Sequence, residues 1–463
     1  VTGKQRAGVR RWAIDLRPLR VPNYRRIWLG NGIAMFGFQF TAVAVPVEMY
    51  DITEASLWVG LLGIAGFVPL LIFGLWGGAV ADASDRRKVL LGAGTLLWAS
   101  TLGLLAQSLL QVGSPVLLLI LVAVQSIAFA ITAPARSAIL PRLVPDELVP
   151  AASTLNYTTF TAASVVGPLA AGLIFSSWGV DVGLPVAYAV DALLFTVSLW
   201  ATLRLPALPP EPDPEGDGTP RRAGLASVVD GFRYLATTPV LLLSFAVDLI
   251  AMILAMPRAL FPEIAHERFS DGAVGWLYSA IAIGSMIGGL TSGWISRLRR
   301  QGLGLVLAVV AWGVAIAAAG FAHQLWLMVL LLGVAGAADL VSAVLRQSML
   351  LIYAPDRMRG RLQGVNTVVV AGGPRLGDLR AGAMAAGLGG GVAWIAGGVA
   401  SAVLVVVLAV AFPALLRYRA ATNAAGTDAA PAGGAGSTAV DGSPAAGAPG
   451  GDRAATASGG DRE

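Results

Sequence analysis

Apolar residues run through this chain in stretches of twenty or more, separated by short polar punctuation. A helix crosses the hydrocarbon of a bilayer with about 20 mostly apolar residues. On that window the pattern predicts twelve spans, near 27–48, 58–81, 88–110, 115–135, 153–176, 182–203, 239–262, 273–296, 303–323, 325–345, 366–388 and 391–416. Only His323 and Gln324 mark the break inside the pair at 303–345. The expected fold class is an all-α membrane protein of twelve transmembrane helices. Residues 1–26 precede the first span, and residues 204–238 link the sixth to the seventh. That linker is proline-rich over 205–220. It then places Leu225, Val228, Val229, Phe232 and Leu235 at helical spacing, which predicts an amphipathic helix on the membrane surface. The Ala/Gly/Ser-rich tail, 417–463, has too little large apolar surface to bury a core and is expected to be disordered.

The two halves of the pattern repeat each other. Val59-Gly60 recurs as Val274-Gly275 and Gly78 as Gly293, both 215 positions later. Arg136, Pro145-Asp146, Asn156 and Gly167 recur as Arg346, Pro355-Asp356, Asn366 and Gly377, each 210 later. Pro46 has Pro257 as its counterpart. The expectation is two six-helix bundles, 27–203 and 239–416, related by duplication.

Composition agrees with lipid as the solvent: 56% of the 463 residues are hydrophobic and only 13% are charged. The placement of charge adds orientation. Of the 32 basic residues, 28 fall on one side of a twelve-span arrangement, so both termini are expected in the cytoplasm. The net charge of +5 is then a topological bias, and nucleic acid is not an expected partner. The first 26 residues carry eight Arg/Lys and no apolar core of a cleavable signal, so the first span reads as an uncleaved anchor. The chain has no cysteine and two histidines, which leaves no basis for a disulfide, a thiol nucleophile or a metal site. No glycine-rich segment follows a strand into a helix, so neither a Walker nor a Rossmann phosphate loop is supported. No enzyme activity and no cofactor are expected, and uphill transport would run on a gradient.

Four groups of residues carry candidate chemistry. Gly78, Asp82, Arg86 and Arg87 lie in the turn after the second span. Glycine permits close helix approach, and Asp82 can accept hydrogen bonds from a helix N-terminus or pair with an arginine; together they read as a conformational latch, beside the plainer reading of a solvated basic turn. Gly167, Pro168 and Gly172 bend and thin the fifth span. Asp191, Asp248 and Asp339 are carboxylates inside spans and candidate proton-coupling groups, each with an alternative role in tying helices together. Asp378 shares its span with Arg375 and Arg380 and is expected to form a fixed ion pair with one of them. Gln39, Gln125 and Asn156 can line the cavity or hydrogen-bond between helices.

The Gly78–Lys88 turn between spans resembles the signature of the major facilitator superfamily, and Gly167-Pro168-Leu169-Ala170-Ala171-Gly172 resembles the antiporter motif of its proton-coupled exporters. Val43-Ala44-Val45-Pro46-Val47-Glu48, Asp230-Gly231-Phe232-Arg233-Tyr234-Leu235, Leu260-Phe261-Pro262 and Gly360-Arg361-Leu362-Gln363-Gly364 are similar to the siderophore-exporter branch of the drug:proton antiporter group. The resemblance spans roughly residues 20–415. It implies the major facilitator fold and proton-driven efflux of a siderophore or amphipathic drug across the bacterial cytoplasmic membrane by alternating access. Departures stand beside it. Ala83 and Asp85 replace a basic residue and a glycine in the latch, Arg297 replaces the acid in its second copy, and the basic residue of the fourth span is missing, with Gln125-Ser126 the nearest feature. The alternatives are an importer or facilitator of a small solute, and a non-transporting scaffold or receptor.

Overall fold

In the computed structural model the described residues are 15–206 and 225–418, apart from the side chains of 75–83, 138, 225–228, 296, 356, 357, 359 and 360. The middle of the proline-rich linker and nearly all of the tail fall outside them. The described chain is helical, with α1 Pro22–Thr53, α2 Ser56–Ala83, α3 Arg86–Leu109, α4 Pro115–Leu143, α5 Val149–Leu203, α6 Leu225–Thr237, α7 Pro239–Ala255, α8 Phe261–Arg268, α9 Ala273–Leu290, α10 Gln301–Gly320, α11 Leu325–Tyr353, α12 Asp356–Leu388, α13 Gly390–Ala411 and the single turn α14 Ala414–Arg417. Proline in the first turn opens α1, α4, α5 and α7, where its missing N–H would have had no partner anyway. The side chain of Asp85 caps α3 by accepting from the Arg87 N–H, and Ser114 caps α4 through the Leu117 N–H.

Among the described residues, ten stretches are long and apolar enough to cross a membrane. One of them, Asp146–Leu203, is 58 residues long and holds two expected spans; its backbone breaks at Gly179, whose φ of 72° suits glycine. α12 is not among the ten although it has 33 residues, because Arg375, Asp378 and Arg380 lower its hydropathy. Two helices end earlier than expected. The seventh span stops at Ala255 rather than near 262: Pro257 lacks an N–H and forces Met256 to an extended ψ of 116°, so the chain turns through Arg258–Leu260 before restarting as α8. α9 stops at Leu290 and continues as a tighter helix, Ser292–Arg297. The break before α11 falls at 321–324, where His323 and Gln324 place it.

Large apolar side chains on the outer faces stay exposed, including Leu173, Leu193, Leu307 and Val410, as a lipid-facing surface requires. Exposed tryptophans sit near helix ends: Trp178, Trp276 and Trp326 at one end of the bundle, Trp200 and Trp294 at the other. The latter end also carries the Arg86–Lys88 and Arg297–Arg300 turns and is called the basic end below.

In the first half α1 lies against α5, and α4 against α2 and α3; in the second, α9 and α10 lie against α11, and α7 and α10 against α13. The described residues form one compact unit, because two joints, α2 with α12 and α5 with α9, fasten the halves. The joints are copies of each other. A Cβ on Gly60 would lie 2.6 Å from the Asp378 carbonyl oxygen, and one on Gly275 would strike the Pro168 carbonyl oxygen. Gly60 and Gly275 are partners at the 215 offset, and Pro168 and Asp378 at the 210 offset, so the sequence repeat reappears as a pseudo-two-fold contact. Both joints lie at the end opposite the basic turns. α6 packs on α12, with Gly231 against the Arg361 carbonyl and Leu235 buried, leaving Val229 and Phe232 outward.

Candidate functional site

The break in α7 sets the chemistry of the second half. A helix end leaves carbonyls without intrahelical partners, and Arg380 from α12 reaches those of α7: its Nε donates to the Ile253 carbonyl at 3.1 Å and its Nη2 to that of Leu254, while Nη1 donates to Ala393 at 3.3 Å. A cation at a helix C-terminus also opposes the helix dipole. Asp378 accepts from the Ala259 N–H at 3.2 Å, just past the break. Arg375 donates to the Ala371 carbonyl one turn back on its own helix, at 2.7 Å. The ion pair expected within α12 is therefore not made: each charged group has been drawn to backbone left open by the break or by its own helix. Arg258, on the turn after the break, is exposed, and its charge acts on both Asp378 and Asp339. Tyr278 donates to the Arg258 carbonyl at 3.4 Å. Asp339 is half-buried and makes no hydrogen bond among the described residues.

Asp248 has a partner that its sequence does not suggest. It forms a buried ion pair with Arg346, a residue expected in a basic turn but placed inside α11, with both side chains under 8% exposed. The hydropathy window misses this because arginine ends an apolar run wherever it occurs, whether the group faces water or a carboxylate.

Among the described residues, the first half buries two carboxyls, neither of them paired with a cation. Asp191 is 2% exposed and accepts from the Thr41 hydroxyl at 2.5 Å and more distantly from that of Thr101 at 3.5 Å; Gln125 donates to Thr101 at 3.2 Å. Gln125 is thus buried in a network joining α1, α3, α4 and α5 rather than open to a cavity. Glu48, 4% exposed, accepts from the Tyr188 hydroxyl at 2.5 Å and from Gln107 at 3.3 Å. Sequence reasoning missed the partners Thr41, Thr101, Gln107 and Tyr188; the available signal was that Thr41 and Glu48 lie seven apart on one face of the first span. Gln39 is half-buried against Gly167, and Asn156 is exposed.

Glu263 on α8 was also missed. It accepts from the Ser56 hydroxyl, at the start of α2, and from the Gly390 N–H, at the start of α13, at 2.8 Å. It ties the first half to the second beside the α2–α12 joint. Pro168 and Gly172 belong to the other joint, while Gly167 faces α1: Gly172 lies against Gly272 and Gly275, the Pro168 carbonyl lies against Gly275, and the Ser279 hydroxyl donates to the Val165 carbonyl at 2.9 Å. Of the latch residues, Gly78 and Asp82 lie outside the described side chains. Arg87 donates from Nη2 to the Leu203 carbonyl at 2.7 Å, capping the end of α5, and Arg86 also has an interaction partner. Beyond the joints a cavity of about 620 Å³ opens at the end opposite the basic turns, lined by Asp51, Asp181, His266 and Asp271 among others.

Comparison with known proteins places this architecture. Residues 13–432 match the model of the transmembrane secretion effector family. The enterobactin exporters EntS of Shigella boydii serotype 18 and Escherichia coli O81 are each 31% identical to the chain over 384 residues, covering 81% of this chain and 88% of theirs. Among solved structures, the nucleoside transporter NupG superposes with a TM-score of 0.67 at 16% identity over 86% of this chain and all of that one. A bacterial homologue of the iron transporter ferroportin, in an inward-facing state, gives 0.64 at 16% identity over 86% and 99%. These structural likenesses establish the fold.

Proposed function

The chain belongs to the major facilitator superfamily, as a membrane transporter of the transmembrane secretion effector family, and from that premise we propose that it exports a siderophore or an amphipathic drug-like molecule in exchange for protons. The observation that carries the reading is the identity with enterobactin exporters over most of both chains. The reading takes residues 27–203 and 239–416 as bundles of six crossings each, twelve in all, in the bacterial cytoplasmic membrane with both termini in the cytoplasm. The bundles rock about a central site. In that orientation the joints opposite the basic end are the outer ones, and their contact supports an inward-facing conformation. The symmetric placing of those joints supports alternating access, since one rigid rotation would part both.

Protons are the proposed partner because Asp191 meets hydroxyls and not a cation, so taking up or losing a proton breaks no ion pair. Asp339 is the second carrier candidate. Asp248 is assigned to holding α7 against α11 through Arg346. The latch at Gly78, Asp82, Arg86 and Arg87 is proposed to hold the inner side shut when the outer joints open.

Everted membrane vesicles test the whole reading. A labelled catecholate siderophore, tested alongside a dye and a macrolide, should accumulate in the acidified lumen, and a protonophore should stop it. Uptake indifferent to the protonophore would make the protein a facilitator, and no uptake of any probe would remove the efflux reading.

A further inference from the structure

The guanidinium groups at the α7 break differ in how much of their hydrogen-bonding capacity is used. Each carries five N–H donors in a planar fork. Arg380 spends its donors on three carbonyls, at Ile253, Leu254 and Ala393. Arg375 has one acceptor, the Ala371 carbonyl on its own helix. Arg258 has none among the described residues, by hydrogen bond or ion pair, although it is exposed and lies between α7 and α8 within the bundle. The Arg258–Leu260 turn packs against α12, which carries Arg375, and against α2. Arg375 also faces the other half: a Cβ on Gly66 of α2 would lie 3.8 Å from its Nε.

Charged groups at membrane depth are costly unless paired or turned to a water-filled cavity. A structural role would therefore have brought Arg258 and Arg375 into contact with carboxylates, and two are within reach. Asp378 instead spends one oxygen on the Ala259 N–H, and Asp339 hydrogen-bonds to nothing described. The arrangement keeps forks of donors open at the inner face of a closed joint, with compensating negative charge nearby but not in contact. Such a site suits a ligand that brings its own pairs of oxygens, because a guanidinium grips two adjacent acceptors at once.

We propose that Arg258 and Arg375 form a subsite for an organic acid with paired oxygens, such as a catecholate, hydroxamate or carboxylate, presented at the seam between the two halves. This rests on the transport reading and names the substrate chemistry it needs. Asp339 and Asp378 balance the empty site, and the arriving oxygens take the arginine donors they leave unused. Both arginines belong to the second half, but the Arg258–Leu260 turn and Arg375 each lie against α2, so a ligand bridging them sits where the first half can close on it, as a substrate that couples binding to rocking must.

The test is binding to the full-length protein in nanodiscs, with the intrinsic tryptophan fluorescence as readout. The probes are a dihydroxybenzoyl amide, a benzohydroxamate and a benzoate, each beside its O-methylated form, which keeps shape and loses the acidic oxygen. Wild type should prefer at least one acidic probe over its methylated form by about tenfold or more, the worth of a charge-assisted hydrogen bond. Arg258→Gln should erase that preference while leaving the methylated form bound as before. Arg258→Lys should keep part of it, since a point charge remains without the fork, and Arg375→Gln should weaken it. A variant that binds both forms less well in equal measure would assign Arg258 to structure and overturn the proposal. So would a wild type that binds acidic and methylated probes alike, while leaving transport itself standing. A wild type that binds no probe and moves none in vesicles would overturn both.

Discussion

Adding one methyl group at Gly275 should unfasten the end of the protein that is closed here. A Cβ there would strike the Pro168 carbonyl oxygen and lie 2.8 Å from the Gly172 Cα, both of them backbone atoms that cannot swing aside. Relief requires α5 and α9 to move apart by several tenths of an ångström, and overpacking of this kind costs about 1–3 kcal/mol. The cost falls only on the state in which the helices touch, so it converts directly into a shift of the closed-to-open ratio by about 5–150-fold. The chain contains no cysteine, so Ser279→Cys, a fully buried position whose hydroxyl bonds across this joint, supplies a single reporter. Alkylation of that thiol in intact membranes should speed up when Gly275→Ala is added. Gly60→Ala should do the same through the symmetric joint, where its Cβ would meet the Asp378 carbonyl. Gly74→Ala is the control, since nothing lies within 4 Å of a Cβ there. Labelling that rises no more in Gly275→Ala than in Gly74→Ala would refute the claim that backbone contact at this joint holds the closed state.

The charged groups lead to further expected outcomes. Removing one partner of the buried Asp248–Arg346 pair strands a charge, so Arg346→Met should cost about 3–5 kcal/mol of stability, and Asp248→Leu with Arg346→Met should recover most of it; SDS-titration unfolding reads both, and a double variant no better than the single would contradict the pairing. Asp191→Asn should abolish proton-driven accumulation in everted vesicles yet leave substrate exchange, whereas loss of both would mark Asp191 as a structural group. Arg380→Leu removes the cap of α7 and leaves buried carbonyls without donors; a loss of about 1–3 kcal/mol in the same unfolding assay is expected, and no loss would mean that the α7 end is satisfied some other way. Glu263→Gln keeps a partner for Ser56 and Gly390 and should change alkylation of the Ser279→Cys reporter little, while Glu263→Ala should speed it.

The spans were readable because lipid demands long apolar runs, a one-dimensional property that survives in any register. The repeat was readable too, and more deeply than its weak identity suggests: the offsets pairing Gly60 with Gly275 and Pro168 with Asp378 anticipate a contact found twice in space. Partnerships between helices were not legible. Asp248 and Arg346 are 98 residues apart, and nothing in either segment tells a pair from two separate charges. The expected pairing of Asp378 with Arg375 or Arg380 failed for a related reason. Proximity along a helix competes with open backbone groups, and the break at Pro257 supplied carbonyls and an N–H that attract those side chains more closely. Pro257 itself was noticed only as the counterpart of Pro46, which sits inside an unbroken α1.

The mismatch between the two repeat offsets, 215 and 210, records an event in the history of the gene. From the start of α3 to the start of α4 the chain uses five more residues than from the start of α10 to the start of α11. α3 has 24 residues and α10 has 20, and the remaining difference of one lies in the connecting turn. A loss of four residues shortens a helix by roughly 6 Å but rotates the remainder of that helix by only about 40°, because four steps of 100° nearly complete a circle. Losing two would have turned the remainder by about 160° and swung lipid-facing side chains towards the interior. After the halves duplicated, the second copy could thus shed a whole turn from its rim while its faces stayed in phase, and that rim is the place where the two copies were free to diverge.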